Sequence, residues 1–405
     1  MEPWRKNLYV IWGAQFLAMA GMSMAMPFMP FYIRTLGVTE LASVKRWSGV
    51  VFAGPFLVSV FMAPVWGLVS DRYSRKLMVV RAFLGIALAT GLMGFAQSVT
   101  QLFLLRMLQG GFSGFMSASV ALVSTTTPKE RMGYSLGFLQ TSTATGSVVG
   151  PLMGGVLADL VGYRAIFFIT SGLALGSAVV VSLAASDGPK GDGRGKKFTL
   201  RDNYRFVWET SIVWKAMIVM FLAQLCTMLV QPIFALYIES MWPYSRYLST
   251  ATGAIFAVTG VATALSAPRW GRYSDQRGYG RTLTFTTVGA GLVYALQGVV
   301  THPLHLAILR VLQGLCVGGI LPSLSGMVSH ASPEDRRGGV LGIAASAQLL
   351  SNLVGPLTGG LLSSYVGIRP LFFLGAGVFF VTASVVRTNL KGQWREAADQ
   401  AVAGG

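Results

Sequence analysis

The chain has 405 residues, of which 53% are hydrophobic and 12% charged, with a mean hydropathy of +0.58. Soluble domains carry about 25% charged residues, so a soluble globular protein is excluded; apolar runs of about 18 or more residues recur instead, each enough to cross a hydrocarbon core as a helix. A net charge of +17 would suggest nucleic acid in a soluble chain, but its placement along this one gives it another meaning.

Taken in chain order, the apolar runs predict twelve spans: 9–33, 47–69, 77–96, 100–124, 134–160, 163–184, 211–239, 248–270, 282–300, 303–328, 338–363 and 368–386. Nothing alternates in ten-residue segments, which disfavours a transmembrane barrel. The first run follows Arg5 and Lys6 and passes Ala18-Met19-Ala20, features shared with secretory leaders. It continues to Ile33, past a normal leader core, and reads as an uncleaved helix. Cys226 and Cys316 fall inside spans, where lone thiols fill space rather than form a disulfide framework.

Twelve spans put both termini on one side. Of the 32 Lys and Arg, Arg34, Lys45, Arg46, Arg164, Arg246 and Arg369 fall on the opposite side, Arg106 and Arg310 lie within helices, and the other 24 lie on the side of the termini. This is the positive-inside bias, so the termini and central loop are expected in the cytoplasm. The basic excess is a topology signal, and no nucleic-acid partner is expected.

The second half repeats the first. Ala63-Pro64-Val65-Trp66-Gly67 with Asp71 matches Ala267-Pro268-Arg269-Trp270-Gly271 with Asp275; Leu105-Arg106-Met107-Leu108-Gln109-Gly110 matches Leu309-Arg310-Val311-Leu312-Gln313-Gly314. Gly150-Pro151-Leu152-Met153-Gly154-Gly155 matches Gly355-Pro356-Leu357-Thr358-Gly359-Gly360, and Gly162, Arg164 and Phe167-Phe168 match Gly367, Arg369 and Phe372-Phe373. The expected organisation is therefore an all-α membrane protein of twelve transmembrane helices in two pseudo-symmetric six-helix bundles, 1–185 and 210–390. A cytoplasmic linker, 186–209, joins them, and a polar, disordered tail, 391–405, follows. The first part of the linker is Gly-rich and flexible, and 198–208 has the makings of a short interfacial helix.

Between the second and third spans stands Gly67-Leu68-Val69-Ser70-Asp71-Arg72-Tyr73-Ser74-Arg75-Lys76. One acid among three bases in a short interhelical loop can lock two helices in one conformation and release them in another, and Gly67 permits close approach. The conformational-latch residues are Gly67, Asp71, Arg72, Arg75 and Lys76, with a degenerate echo at Gly271, Asp275, Arg277 and Gly278. In the fifth span Gly146, Gly150 and Gly154 form a stripe four residues apart, and Pro151 removes a backbone hydrogen bond. Ordinary membrane packing uses the same pattern.

The loop resembles the signature of the major facilitator superfamily, and Arg106-x-x-Gln109-Gly110 resembles a second motif of that superfamily. Gly137, Gly146, Gly150, Pro151, Gly154 and Gly155 have every spacing of the motif associated with its antiporters, and Pro27-Phe28-Met29-Pro30-Phe31-Tyr32 resembles the proline pair of drug:proton antiporters. The whole is similar to bacterial multidrug efflux proteins of the twelve-span drug:proton antiporter-1 family. The resemblance implies a major facilitator fold and a secondary transporter exporting lipophilic or amphiphilic drugs in exchange for protons by alternating access. The alternative is a transporter of one lipid, siderophore or metabolite, not necessarily coupled to protons.

Arg106 is the costliest residue of the first half, since an Arg at the centre of a span costs roughly 2.5–3.5 kcal/mol. It lies about six residues from the span end, so snorkelling competes with function, and Arg310 stands at the equivalent place. Arg106, Gln109, Glu239 and Arg310 are the coupling or substrate candidates. None of the 15 acids lies in the middle of a span. Glu239 and Asp159 sit at span ends, and Glu239 and Asp71 are the best proton carriers on offer; proton coupling rests on the resemblance. The resemblance also places helices one, four, seven and ten around a cavity. Its candidate lining is Gln15, Met19, Met22, Met26, Met116, Gln224, Met228, Gln231 and Gln313, with Gln140, Phe256 and Asn352 from neighbouring helices. Met-rich surfaces repack around varied apolar molecules, although each residue alone serves equally as core. The expected partners are lipophilic or amphiphilic small molecules, protons and membrane lipids, acting on a monomer. No triad, metal cluster or nucleotide-binding loop is recognisable, so neither enzyme, cofactor nor ATP-driven pump is expected.

Overall fold

The computed structural model describes residues 2–187, 200–243, 246–333 and 336–389, and every regular element among them is helical. The helices are α1 (Pro3–Ala25), α2 (Met29–Thr35), α3 (Leu41–Arg72), α4 (Arg75–Gly94), α5 (Val99–Gly111), α6 (Phe115–Thr126), α7 (Met132–Val161) and α8 (Tyr163–Ala184). They continue as α9 (Leu200–Glu209), α10 (Ser211–Val230), α11 (Phe234–Met241), α12 (Leu248–Arg277), α13 (Tyr279–Val299), α14 (Pro303–Val317), α15 (Ile320–His330), α16 (Arg337–Val366) and α17 (Arg369–Asn389). Linker residues 188–199 and tail residues 390–405 lie outside the described residues. Helix α9 stands where the interfacial helix is expected.

Among the described residues, eleven helical stretches are long and apolar enough to cross a membrane. The expected span 100–124 is not one helix. It is α5 followed by α6, separated at Gly114, whose φ of 102° breaks the helical path. Glycine adopts this left-handed conformation without a Cβ penalty. Large apolar side chains such as Leu183 (83% exposed) and Leu160 (73% exposed) point away from the protein, which suits lipid and would be costly in water.

The contacts group into two compact units, 1–193 with 232–257, and 194–231 with 258–405. The segment 232–257 belongs to the first unit because α11 and the start of α12 bond to α2, α7 and α8, as described below. In the first unit α1 packs on α7 and α8, and α4 on α8; in the second α10 packs on α16 and α17, and α13 on α17. Lipid tails are as apolar as Leu, so helix association inside a bilayer depends on close fit and interhelical hydrogen bonds of about 0.6 kcal/mol each. The first unit shows both: Thr170 Oγ1 donates to the Gly21 carbonyl at 2.8 Å, Ser177 Oγ to Ala14 at 3.0 Å and Ser171 Oγ to Ala87 at 2.7 Å.

The sequence repeat is a structural repeat. Helices α7 and α16 have 30 residues each and both end at a positive-φ glycine, Gly162 and Gly367. The first span of each half breaks into a 3-10 turn at a proline, Met26–Phe28 around Pro27 and Gln231–Ile233 around Pro232. Trp66 Nε1 donates to the Gly111 carbonyl and Trp270 Nε1 to that of Leu315, both at 2.7 Å.

Candidate functional site

Arg106 sits on α5, buried to 4% exposure. The guanidinium donates from Nη1 to Gln109 Oε1 at 2.8 Å and from Nε to the Val51 carbonyl at 3.2 Å, and its Nη2 lies 3.4 Å from Met26 Sδ. The Arg and Gln of the motif and the Met of the first span therefore meet, one turn apart on α5 and at the 3-10 turn after α1. These three partners are neutral, so dipoles solvate the positive charge. Snorkelling does not describe this geometry: the side chain is held by inward-facing acceptors.

Five residues beyond Arg106, α5 stops. Helix ends leave carbonyls without intrahelical partners, and inside a membrane each must find one. Trp66 of α3 takes the Gly111 carbonyl, and Arg81 of α4 donates from Nη2 to the Ser113 carbonyl at 3.1 Å while lying 3.4 Å over the Trp66 ring. Arg81 is not among the sequence candidates. Its only sequence signal is a charge about one turn from the start of the third span, at the end on the side of the termini.

The glycine stripe of α7 is a contact surface. A Cβ at Gly150 would collide with Ser23 and the Ala20 carbonyl, one at Gly154 with Met24, and one at Gly155 with the Ser249 backbone of α12; a Cβ at Gly146 would lie 2.9 Å from Met19 Cβ. Gly137, the first position of the motif, has nothing within 4 Å. In the second unit Ser351 stands in the place of Gly146, and its hydroxyl donates to the Phe221 carbonyl at 2.8 Å.

A polar cluster holds the far ends of these helices. Asp159, near the end of α7, accepts from the backbone N–H of Thr250 at 2.8 Å, from its hydroxyl at 2.7 Å and from the N–H of Ser249 at 3.3 Å. A carboxylate from one helix thus caps the first turn of another, where orphan N–H groups and the helix dipole favour negative charge. Tyr163 OH lies 3.2 Å from Ser249 Oγ. Beside it, Arg34 of α2 donates from Nη1 to Glu239 Oε1 of α11 at 2.6 Å, with side chains 31% and 25% exposed.

The signature segment is less of a loop than the sequence suggests: α3 runs to Arg72, and Tyr73 and Ser74 alone separate it from α4. Asp71 and Arg72 are therefore helical, as is Gly67; the side chains of Asp71 and Arg72 lie outside the described residues. Arg75 Nη1 lies 3.4 Å from the Ala121 carbonyl. Asp187 accepts from Ser74 Oγ and, at 3.0 Å, from the Lys76 backbone N–H. In the sequence Asp187 reads only as linker, and no local pattern announces a partner this distant. Asp275 likewise lies in α12, where it accepts from Tyr279 OH at 2.9 Å.

The remaining candidates fall into pairs and single residues. In the first unit Gln15 is buried and donates to Thr143 Oγ1 at 2.8 Å, and Met22 packs partly buried against the core around Leu8, Ile11 and Phe83. Phe256 meets Phe234 edge-on at 5.2 Å, whereas Met116 and Gln140 are exposed. In the second unit Gln224 Nε2 donates to Asn352 Oδ1 at 2.9 Å, Met228 packs on Gly355, and Gln231 opens the 3-10 turn. Arg310 is buried on α14, one turn before Gln313, which accepts from Gln297 at 2.9 Å and donates to Tyr294 OH at 3.2 Å. Sequence reasoning misses Tyr294 and Gln297 because they lie among apolar residues of the ninth span.

A family model described as Major Facilitator Superfamily matches residues 11–242 and 241–400. The chain is 34% identical over 386 residues to the Multidrug resistance protein MdtG of Rahnella sp. (strain Y9602), covering 95% of this chain and 92% of that one. It is 33% identical to the protein of the same name from Proteus mirabilis (strain HI4320), covering 97% and 96%. Among solved structures, a bacterial homologue of the human lysosomal transporter Spinster, inward-facing and unoccupied, superposes with a TM-score of 0.80 at 16% identity, covering 96% of this chain and 98% of that one. A single-site mutant of the nucleoside transporter NupG gives 0.79 at 14% identity, covering 94% and 99%. At these identities the structural likeness speaks for the fold alone.

Proposed function

The chain belongs to the major facilitator superfamily, and from that premise we propose that this multi-pass membrane transporter exports lipophilic or amphiphilic drugs in exchange for protons. One observation carries the reading: the similarity to multidrug resistance proteins runs over 94–97% of the chain, so it takes in both halves of the repeat. The membrane is the bacterial inner membrane, a reading supported by the bacterial source of the multidrug resistance relatives, and the termini are cytoplasmic, a reading supported by the positive-inside bias. The moving bodies are the halves 1–185 and 210–390, joined by 186–209.

The site residues take definite roles in this scheme. Arg106 and its neutral partners form a positive site that an anionic or electron-rich group of the cargo can approach; guanidinium does not release its own proton. The glycine stripe keeps α7 in close contact with α1 and α12, a seam suited to rocking. Asp159 and the Arg34–Glu239 pair hold the periplasmic end together. A proton delivered to Glu239 removes its charge, the ion pair with Arg34 is lost, and that end is free to open. Gly67, Asp71, Arg72, Arg75 and Lys76, with Asp187 as a further acid, serve as the cytoplasmic latch.

The test is transport in proteoliposomes under an imposed pH gradient, with a panel of lipophilic cations, neutral drugs and anionic amphiphiles. Collapse of the gradient on adding a transported compound is the expected result. Transport indifferent to the gradient would remove the proton from the scheme, and no transport of any compound would remove multidrug export.

A further inference from the structure

The repeat makes the face of α1 and α7 in the first unit comparable, residue by residue, with that of α10 and α16 in the second. Tyr9, Trp12, Phe16, Tyr134 and Phe138 correspond to Trp214, Met217, Phe221, Gly339 and Ile343. In the first unit these side chains fill their own groove. Trp12 stacks on Phe16 at 5.6 Å and on Phe138 at 5.7 Å, Tyr134 stacks on Phe138 at 6.1 Å, and Tyr9 meets Phe138 edge-on at 5.6 Å.

In the second unit three of the five rings are missing: Met stands for Trp, Ile for Phe and Gly for Tyr. The vacated space is a cavity of about 420 Å³ between α9, α10 and α16, within the range of drug-binding pockets. Helix α9 closes one side. Its Asn203 packs on Gly339, where the first unit has Tyr134, and its Tyr204 and Trp208 enter the cavity wall. Trp214, Phe221 and Leu350 form the other walls; among the described residues no charged side chain lines the cavity, and Ser346 supplies a hydroxyl. Flat aromatic walls around a space that rings occupy in the sister unit fit an aromatic guest better than a flexible chain, and Met217 can adjust to its outline.

We propose that this cavity of the second unit binds the fused-ring apolar part of a lipophilic molecule. Calling that molecule a transported substrate rests on the export reading; the binding site does not. The site shares no residue with Arg106 and its partners, and in the first unit stacked rings stand at the equivalent positions.

The experiment uses the full-length protein in lipid nanodiscs and a naphthalene carrying a photoreactive diazirine, with labelled residues mapped by mass spectrometry. Label is expected on Trp208, Trp214, Met217 and Leu350, displaced by unlabelled naphthalene. The double variant Met217→Trp/Ile343→Phe restores the rings of the first unit and should lower labelling at the other positions at least tenfold. Undiminished labelling in a folded double variant, or label on the unmodified protein spread over lipid-facing residues and not displaced by naphthalene, would overturn the proposal. So would labelling of the same residues by a diazirine phospholipid that naphthalene fails to displace, since the occupant would then be an acyl chain. Displacement on the unmodified protein decides the matter if the variant does not fold. Export of the same naphthalene is measured separately: labelling without export counts against the export reading alone, and export without labelling against this site alone.

Discussion

Removing the charge of Glu239 is the most direct probe of the cluster that joins α2, α7, α11 and α12. Glu239→Gln keeps the shape and a hydrogen-bond acceptor but deletes the ion pair with Arg34, whose N–O distance is 2.6 Å with side chains 31% and 25% exposed. At an effective dielectric near 20 the gross attraction at such a distance is several kcal/mol. Partial exposure and the ordering of two long side chains offset most of it, leaving about 1 kcal/mol. That is about a fivefold shift of the equilibrium toward the separated form, since ~1.4 kcal/mol corresponds to tenfold. The reporter is Ser249→Cys, in a background with Cys226 and Cys316 replaced by Ala; Ser249 is 1% exposed and seated against Gly155. Its labelling rate with a membrane-impermeant maleimide should rise about fivefold in Glu239→Gln and equally in Arg34→Gln. The double variant should show no further increase, and the exchange Arg34→Glu/Glu239→Arg should return to the starting rate. Additive single effects, or an exchanged pair as fast as either single variant, would refute the idea that the pair holds this end closed.

Arg106→Ala is expected to abolish transport at normal expression and melting temperature, and Arg106→Lys to do nearly as much, because one ammonium cannot satisfy the three groups around the guanidinium; normal transport in either variant would make the Arg structural. Gly150→Val should separate α7 from α1 and cost about 1–3 kcal/mol by overpacking, lowering the melting temperature, while Gly137→Ala, with open space around it, should leave stability unchanged or raise it. Equal behaviour of the two would show that the motif is not a packing surface throughout. Asp159→Ala removes the cap of α12 and should lower stability by about 0.5–2 kcal/mol, read by thermal unfolding in detergent; an unchanged unfolding curve would mean the cap is dispensable.

Apolar runs and repeated motifs make the fold legible, because the bilayer imposes one demand on every span: continuous hydrogen-bonded helix of sufficient length. The same demand hides the break between α5 and α6. Gly110, Gly111 and Gly114 are in plain view, but hydropathy counts side chains and is blind to a carbonyl taken by Trp66 or Arg81. Among the site residues, Arg106 and Gln109 are recognisable because an intramembrane charge is expensive and the two lie one turn apart. Their third partner, Met26, reads as generic lining. Asp187 is unreadable for a simpler reason: its partner Ser74 lies 113 positions away, and nothing local distinguishes a capping acid from a solvated one.

The ion pair between Arg34 and Glu239 has a logic that belongs to duplicated chains. The two residues occupy equivalent places in the repeat, each seven positions after the proline that breaks the first helix of its half. Equivalent positions that touch are like the residues of a two-fold interface that face their own copies. With identical sequences, a charge there meets a like charge and repels it; the contact is tolerable only for neutral residues. Divergence to Arg in one copy and Glu in the other turns the same self-contact into an attraction, and it makes that attraction removable by a single proton. Asp159 has no acidic counterpart, since its equivalent is Ser364. Both acids of the cluster are thus departures from the repeat. If coupling evolved by breaking the symmetry of a duplicated scaffold, exchanging Arg34 and Glu239 should preserve closure, because the pair is restored. It should also change how a proton reaches the acid, because the carboxylate then sits on α2 and not on α11. Normal closure with altered pH dependence of transport is the expected combination; unaltered pH dependence would place the coupling acid elsewhere.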